Sequence, residues 1–405
     1  MKKIILTVAG IMLATFAFAE EAPKVTLGGS LDTQIGYLEQ QSLFRYLNFQ
    51  ASPGNLLNSG AIVNNTRIYI DAQGKASQGF TYGARLELYS DASPNADNRT
   101  TSQIGDKIYG FLESKYGRVE IGAVKSSANQ MRIDVSSIAR AAGGSDGDLT
   151  NWLSINNGID NGQVSLYTRF QETPGTTTYA DSITTINRVN YFTPKWSGVQ
   201  LALSYAPDVE MIGTVQQTHL VLKNSGANVR NSLETTLLYE GKTSELTYSL
   251  ALTGEVGKAK PGAVARNDIK AYMLGGQVGY KNLTFVASFG DWLKSATPKI
   301  QRPGAKFGSQ NWSFGAAYAD DKFGASIGYF ESRKGNSYVV SQAPSDITLQ
   351  DLTRNKFRVT SIGLDYQLTP GLMPYAEIDF FTFKRSGQPV NNQGTLFLAG
   401  SKLKF

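Results

Sequence analysis

Cysteine is absent and histidine occurs once, at His219, among 405 residues. That excludes a disulfide framework and a thiolate metal site, and it leaves no cluster of imidazole ligands. Gly143-Gly144-Ser145-Asp146-Gly147 fits the G-x-S-x-G spelling. A hydrolase elbow also needs a strand–turn–helix setting and a histidine base, and His219 falls in a different expected loop. Asp146-Gly147-Asp148 lacks the further spaced acidic ligands of an EF-hand loop, and it reads as a turn or a pore-facing acidic pair. Gly275-Gly276 has no following helix pattern and is not a phosphate loop. The expectation is a protein that is not an enzyme and needs no cofactor. Strong charge is lacking too. The formal net charge is +6, two of it from Lys2 and Lys3, with no basic block, so nucleic acid is not an expected partner. Beyond the N-terminus no run of eighteen apolar residues occurs, so no helical membrane span is expected.

The N-terminal segment has its own pattern. Lys2 and Lys3 precede a largely apolar stretch, Ile4 to Phe16, and Ala17-Phe18-Ala19 has the small residues of an A-x-A cleavage site. Residues 1–19 are therefore expected to be a cleaved signal peptide, with 20–405 as the exported unit.

Aromatics and glycine are plentiful: 20 Tyr, 20 Phe and 41 Gly. Mean hydropathy is only −0.23. A transmembrane β-barrel has that average, because only every second residue of each strand faces lipid. The sequence alternates accordingly. Val25 to Tyr37, Asn64 to Ala72, Gly79 to Tyr89, Asp106 to Ser114 and Gly117 to Val124 read as strands, followed after a gap by Ile186 to Phe192 and Val199 to Ala206. Nine more follow, for an expected sixteen. Tight connections at Lys115-Tyr116, Pro194 to Gly198, Gly241-Lys242, Lys281, Asp320 to Lys322 and Thr369 to Gly371 alternate with long polar ones such as Gln40 to Gly60 and Ser332 to Asn355. Short turns at one rim and long loops at the other are the habit of outer-membrane barrels.

Charge placement follows from the same period. Arg67, Tyr69 and Asp71 share one face of their strand, as do Arg85 and Glu87 of the next, and Arg188 and Asn190 of the sixth. A cationic side chain at the lipid midplane costs about 2–4 kcal/mol, so these residues are expected in the lumen. Lys125 to Thr184 is a connection far beyond hairpin length. It holds an apolar-spaced segment, Met131 to Ala142, and a stretch from Val164 to Phe170 that would make eighteen strands if it joined the wall.

The C-terminal segment GTLFLAGSKLKF alternates Phe397, Ala399, Ser401, Leu403 and Phe405 against Leu398, Gly400, Lys402 and Lys404. It resembles the closing strand of Gram-negative outer-membrane porins. That resemblance implies a barrel-assembly signal at Gly400, Leu403 and Phe405. The stretch from Leu112 to Asp148 resembles the fifth strand and third loop of general diffusion porins, especially the alphaproteobacterial type, and Asn187 to Tyr205 resembles the next hairpin. In that family the third loop folds inward, with its acids facing bases on the wall. Carried over, the acids are Asp134, Asp146 and Asp148, and the bases are Arg67, Lys107 and Arg188. Ser30 stands where enterobacterial relatives often have Lys, and the family's loop Pro-Glu pair is missing, which leaves the sign of ion preference open. The resemblance implies an all-β, sixteen-stranded antiparallel transmembrane barrel in the bacterial outer membrane. It also implies a homotrimer that passes ions and small hydrophilic solutes. The implied partners are outer-membrane lipid, lipopolysaccharide and the barrel-assembly machinery. A sugar-selective eighteen-stranded channel and a closed surface adhesin or receptor are the alternatives.

Overall fold

The computed structural model describes residues 22–45, 56–76, 79–92, 105–146, 149–153, 185–209, 229–261, 265–295, 297, 299, 308–335, 354–384 and 391–405. The leader 1–19, the stretch Val164 to Phe170, His219 and Asp148 lie outside them.

Sixteen antiparallel strands close into one barrel. They are β1 (Lys24–Gln40), β2 (Gly60–Ala76), β3 (Phe80–Ala92), β4 (Gly105–Ser114), β5 (Gly117–Val124), β6 (Ile186–Phe192), β7 (Val199–Asp208) and β8 (Val229–Lys242). The second half comprises β9 (Leu246–Ala259), β10 (Ile269–Tyr280), β11 (Leu283–Asp291), β12 (Ser309–Ala319), β13 (Phe323–Gly335), β14 (Arg354–Tyr366), β15 (Leu372–Lys384) and β16 (Asn392–Lys404). Each strand pairs with its sequence neighbours, and β16 pairs with β1, Ser30 opposite Lys404. β5 pairs directly with β6, Gly122 opposite Arg188, so the long connection adds no strand to the wall and the eighteen-strand alternative falls.

Closure is what membrane lipid demands. It offers no hydrogen bonds, so every strand needs a partner on both sides. Alternation then sorts the faces. Tyr272, Leu274 and Val278 of β10 are exposed on the outside, while Ala271 and Met273 of the alternate set are buried inside. Tyr239, Tyr280, Phe323 and Tyr366 stand exposed near the short-turn rim, where an aromatic girdle meets the membrane interface.

One turn sits two residues later than the sequence suggests. Gly241 and Lys242 are still paired, with Tyr248 and Thr247, and the bend falls at 243–245. Thr243 Oγ1 accepts the Leu246 N–H at 3.1 Å and closes that bend locally, which a Gly-Lys pair cannot do. The strands also run longer than their alternating cores: β2 covers seventeen residues rather than Asn64 to Ala72.

Candidate functional site: the lumen and its inner strap

From Val124 the chain turns into the barrel. Ser126 caps the short helix Ser127–Met131, its Oγ accepting the Asn129 N–H at 3.2 Å. Ser127 N–H donates to Ser204 Oγ on β7 at 2.7 Å. Asp134 then starts a 3-10 turn, Val135–Ser137, by accepting the Ser136 N–H at 2.8 Å. Val135 N–H donates to Ser313 Oγ on β12 at 3.1 Å. Arg140 forms a two-pronged pair with Asp365 of β14, Nε at 2.8 Å and Nη2 at 2.6 Å. The Gly144 N–H lies 3.1 and 3.2 Å from the two Glu377 carboxylate oxygens of β15. Lys402 of β16 donates to the Ala141 carbonyl, and Trp152 Nε1 reaches Gln34 Oε1 of β1 at 3.4 Å. The strap thus runs inside the barrel from β7 round to β1.

The wall beneath it is cut back to fit. A Cβ on Gly275 would strike the Ile133 carbonyl oxygen. One on Gly328 would sit 2.5 Å from Val135 Cγ2, and one on Gly363 would sit 3.1 Å from Ala141 Cβ. Apolar contact adds to the hydrogen bonds. Leu149 and Leu153 of the strap join Leu38, Leu396 and Leu398 of the wall in one buried cluster. Each such leucine is worth about 1.5–3 kcal/mol when fully buried. This explains the inward Leu398, an apolar residue on the face that carries lysines further along β16.

The wall from β2 to β5 is different. Arg67, Arg85 and Lys107 point inward, as their registers require. Arg67 and Arg85 keep 39% and 37% of their side-chain exposure, against none for Arg188. Each base here has a carboxylate on the same wall. Glu87 receives Arg67 at 3.3 Å and Lys107 at 2.7 Å, Arg85 meets Asp71 at 3.2 Å, and Arg118 meets Glu113 at 3.0 Å and Glu120 at 2.9 Å. Ser30 faces this group, its Oγ 3.5 Å from the Tyr69 hydroxyl.

Two of the sequence-derived placements change character. Arg188 faces inward but is sealed off from the lumen, 2.8 Å from Glu234. Asp134 is occupied within the strap, by Ser136 and by Arg132 at 3.4 Å. Asp146 ends the 3-10 turn Gly144–Asp146. The wall carboxylates Asp365 and Glu377, which hold the strap, escaped the sequence reading, as did Arg140. Their signal was present: Asp365 shares its alternate set with Ser361 and Gly363, an inward face of small residues.

At the barrel seam, Gly29 N–H donates to Phe405 O at 2.9 Å and Phe405 N–H to Gly29 O at 3.1 Å. Leu403 and Phe405 are exposed on the outer face. Gly400 faces inward beneath the Tyr375 ring, which a Cβ there would meet at 2.5 Å.

A family model described as Gram-negative porin matches residues 6–386. An uncharacterized protein of Rickettsia conorii is 28% identical across all of both chains, and one of Rickettsia felis is 27% identical with the same coverage. Among solved structures, the anion-selective porin from Comamonas acidovorans shares the fold at a TM-score of 0.60 and 15% identity, over 95% of this chain and 100% of that one. A mutant of the Rh. blastica porin gives 0.53 and 16%, over 94% and 100%. A closed sixteen-stranded sheet, apolar outside and polar within, together with a family match spanning most of the chain, makes this protein a member of the Gram-negative porin family, an outer-membrane channel.

Proposed function

We infer that the barrel is a passive aqueous channel for ions and small hydrophilic solutes, with its narrowest passage between the strap and the β2–β5 wall. The observation that carries this reading is the asymmetry of the interior. The strap is bonded to β7, β12, β14, β15 and β1, while Arg67, Arg85 and Asp71 on the other wall stay partly exposed. Charged side chains that remain wet beside a narrowed lumen set the local field felt by a passing ion. Because Arg67, Arg85, Lys107 and Arg118 each have a carboxylate partner beside them, the reading entails weak ion selectivity. Transport of this kind requires no covalent step and no cofactor.

Cleavage after Ala19, assembly as a homotrimer and recognition of Gly400, Leu403 and Phe405 by the barrel-assembly machinery belong to the same proposal. The test is single-channel conductance of the refolded protein in a planar bilayer, beside a variant lacking residues 132–145. The intact protein should conduct without added ligand, and the shortened one should conduct more and admit larger solutes. Absence of conductance in the intact protein would remove the channel reading. An unchanged solute cutoff in the shortened one would remove the constriction.

A further inference from the structure

The inner face of β8 and β9, under the root of the strap, gathers oxygen atoms from two adjacent strands. Glu234 and Thr236 take alternate positions on β8, as Thr253 and Glu255 do on β9. Register sets Glu234 opposite Glu255 and Thr236 opposite Thr253. Opposed residues have Cβ atoms about 5 Å apart, and alternate residues of one strand are about 6.7 Å apart, so the four side chains frame one small rectangle. None of the four is more than 2% exposed.

Their hydrogen bonding is incomplete. Glu234 Oε1 accepts from Arg188 at 2.8 Å, and Glu255 Oε1 accepts from the Ser232 hydroxyl at 3.0 Å. Thr236 Oγ1, Thr253 Oγ1 and Glu234 Oε2 have no hydrogen-bond partner among the described residues. The two threonines do not bond each other, as cross-strand threonines can. Buried polar atoms are nearly always bonded, so three such atoms on one face of two paired strands point to a shared partner between them.

The surroundings narrow its chemistry. On β7, Ser204 stands opposite Glu234 and Ala202 opposite Thr236. On β10, Ala271 stands opposite Glu255 and Met273 opposite Thr253. The helix Ser127–Met131 packs over β7, β8 and β9, and its Ala128 joins Ala271 and Met273 in a buried cluster. Ser126, at the strap's root, borders Glu234. These neighbours add hydroxyls and apolar groups, and none carries an amine. Arg188 brings one positive charge to a pocket that holds two carboxylates.

We propose that Glu234, Glu255, Thr236 and Thr253 form a structural calcium site on the inner wall, tying β8 to β9 beneath the strap's root. Carboxylates and hydroxyls are hard ligands, and two carboxylates directly opposite each other favour a cation between them. Calcium accepts oxygens at about 2.3–2.6 Å in flexible geometry, whereas magnesium demands a near-ideal octahedron that two neighbouring strands do not supply. The inference rests on the packing of the barrel wall and does not depend on conduction, and transport does not use the ion.

The test uses the full barrel refolded in a neutral detergent, so that no anionic lipid contributes calcium sites. Equilibrium dialysis against about 1 mM radioactive calcium, the range of extracellular sites, measures the bound metal. Unfolding temperature is read in calcium and in a calcium chelator, and conductance is read in parallel. The variant Thr236→Val with Thr253→Val keeps the net charge and the side-chain shape, so it tests the site and not the surface. Wild type should bind one equivalent more than this variant and should unfold several degrees higher in calcium than in chelator. The variant should lose both differences, and in chelator it should unfold no earlier than wild type, because valine removes a buried unbonded hydroxyl. Equal calcium on wild type and variant would overturn the proposal, as would a wild type that unfolds at the same temperature in calcium and chelator. If the valine variant does not fold, Glu255→Gln carries the same comparison, and the wild-type arm stands without either. Displacement of the ion by about a tenfold excess of magnesium would overturn the calcium assignment. A wild type that binds calcium but does not conduct would sink the channel reading alone.

Discussion

The two inner walls of this barrel obey the same alternation and do opposite things. From β10 to β16 many inward positions are small or apolar, Gly275, Ser313, Gly328, Gly363 and Leu398 among them, with Asp365 and Glu377 set between, and a strap of backbone lies on them. From β2 to β5 the inward positions include the long bases Arg67, Arg85, Lys107 and Arg118, and the carboxylates Glu87, Asp71 and Glu120 of the same wall neutralise them. Period two decides which face a residue occupies. Side-chain length then decides whether that face is covered or wet. Charge also works differently on the two sides. Asp365 and Glu377 anchor a loop by accepting its donors, whereas Glu87 gathers cations beside the open space.

The sharpest way to break the contrast is to fill the cut-back wall. Gly275→Leu with Gly328→Leu would place side chains where Ile133 O and Val135 Cγ2 now sit. The strap should leave its bed, with a severalfold rise in single-channel conductance and a larger solute cutoff in vesicle swelling. Unaltered conductance would mean that the strap's position is set elsewhere.

A smaller effect is expected from unbalancing the other wall. Glu87→Gln leaves Arg67 and Lys107 without their shared counter-charge. Reversal potential should move toward anion preference, most clearly at low salt, because screening shortens the reach of the change. Losing a buried charged acceptor should also cost about 1–3 kcal/mol in barrel stability, read from denaturant unfolding. A reversal potential that does not move at low ionic strength would place these residues away from the ion path.

The smallest effect concerns a turn outside the membrane. The backbone N–H groups of Phe323 and Lys322 and the Tyr318 hydroxyl bond the Asp320 carboxylate and hold its pKa below the ordinary range. A depressed folded-state pKa stabilises the fold above the unfolded value, about 3.9 for Asp, and the contribution fades as pH falls through the folded pKa. Asp320→Ala should therefore unfold slightly earlier than wild type at neutral pH, and the gap should close in acid. A gap that persists at low pH would show that the carboxylate's charge is not what closes the turn.

The fold was legible because alternation is dense and lipid punishes exceptions. Val189 and Tyr191 against Arg188 and Asn190 already told the outside from the inside. Sixteen strands and the infolding of the long connection followed from spacing, turn chemistry and family resemblance. The partnering of charges was not legible. Arg188 reads as a lumen base because its register is inward, yet Glu234, two strands away, removes it from solvent. Asp134 reads as a loop acid facing the wall, yet it accepts from its own neighbour Ser136 and pairs with Arg132. Linear spacing reveals the face of a residue but not which distant strand lies opposite. For the same reason Arg140 and Asp365 could not be matched in advance.

The seam between β1 and β16 sets a condition on how such a molecule comes into being. Ser30 faces Lys404 across it, so the ring joins the first and sixteenth strands, almost the longest separation available in the chain. Topology of that kind folds slowly, since the entropy of bringing remote segments together is lost before the contacts return it. Until the two strands meet, both edges carry a row of unmatched amides and carbonyls, the condition that invites strand-to-strand aggregation. The barrel's maturation is therefore a race between ring closure and mispairing, and any factor that shields those two edges acts on yield without altering the finished pore.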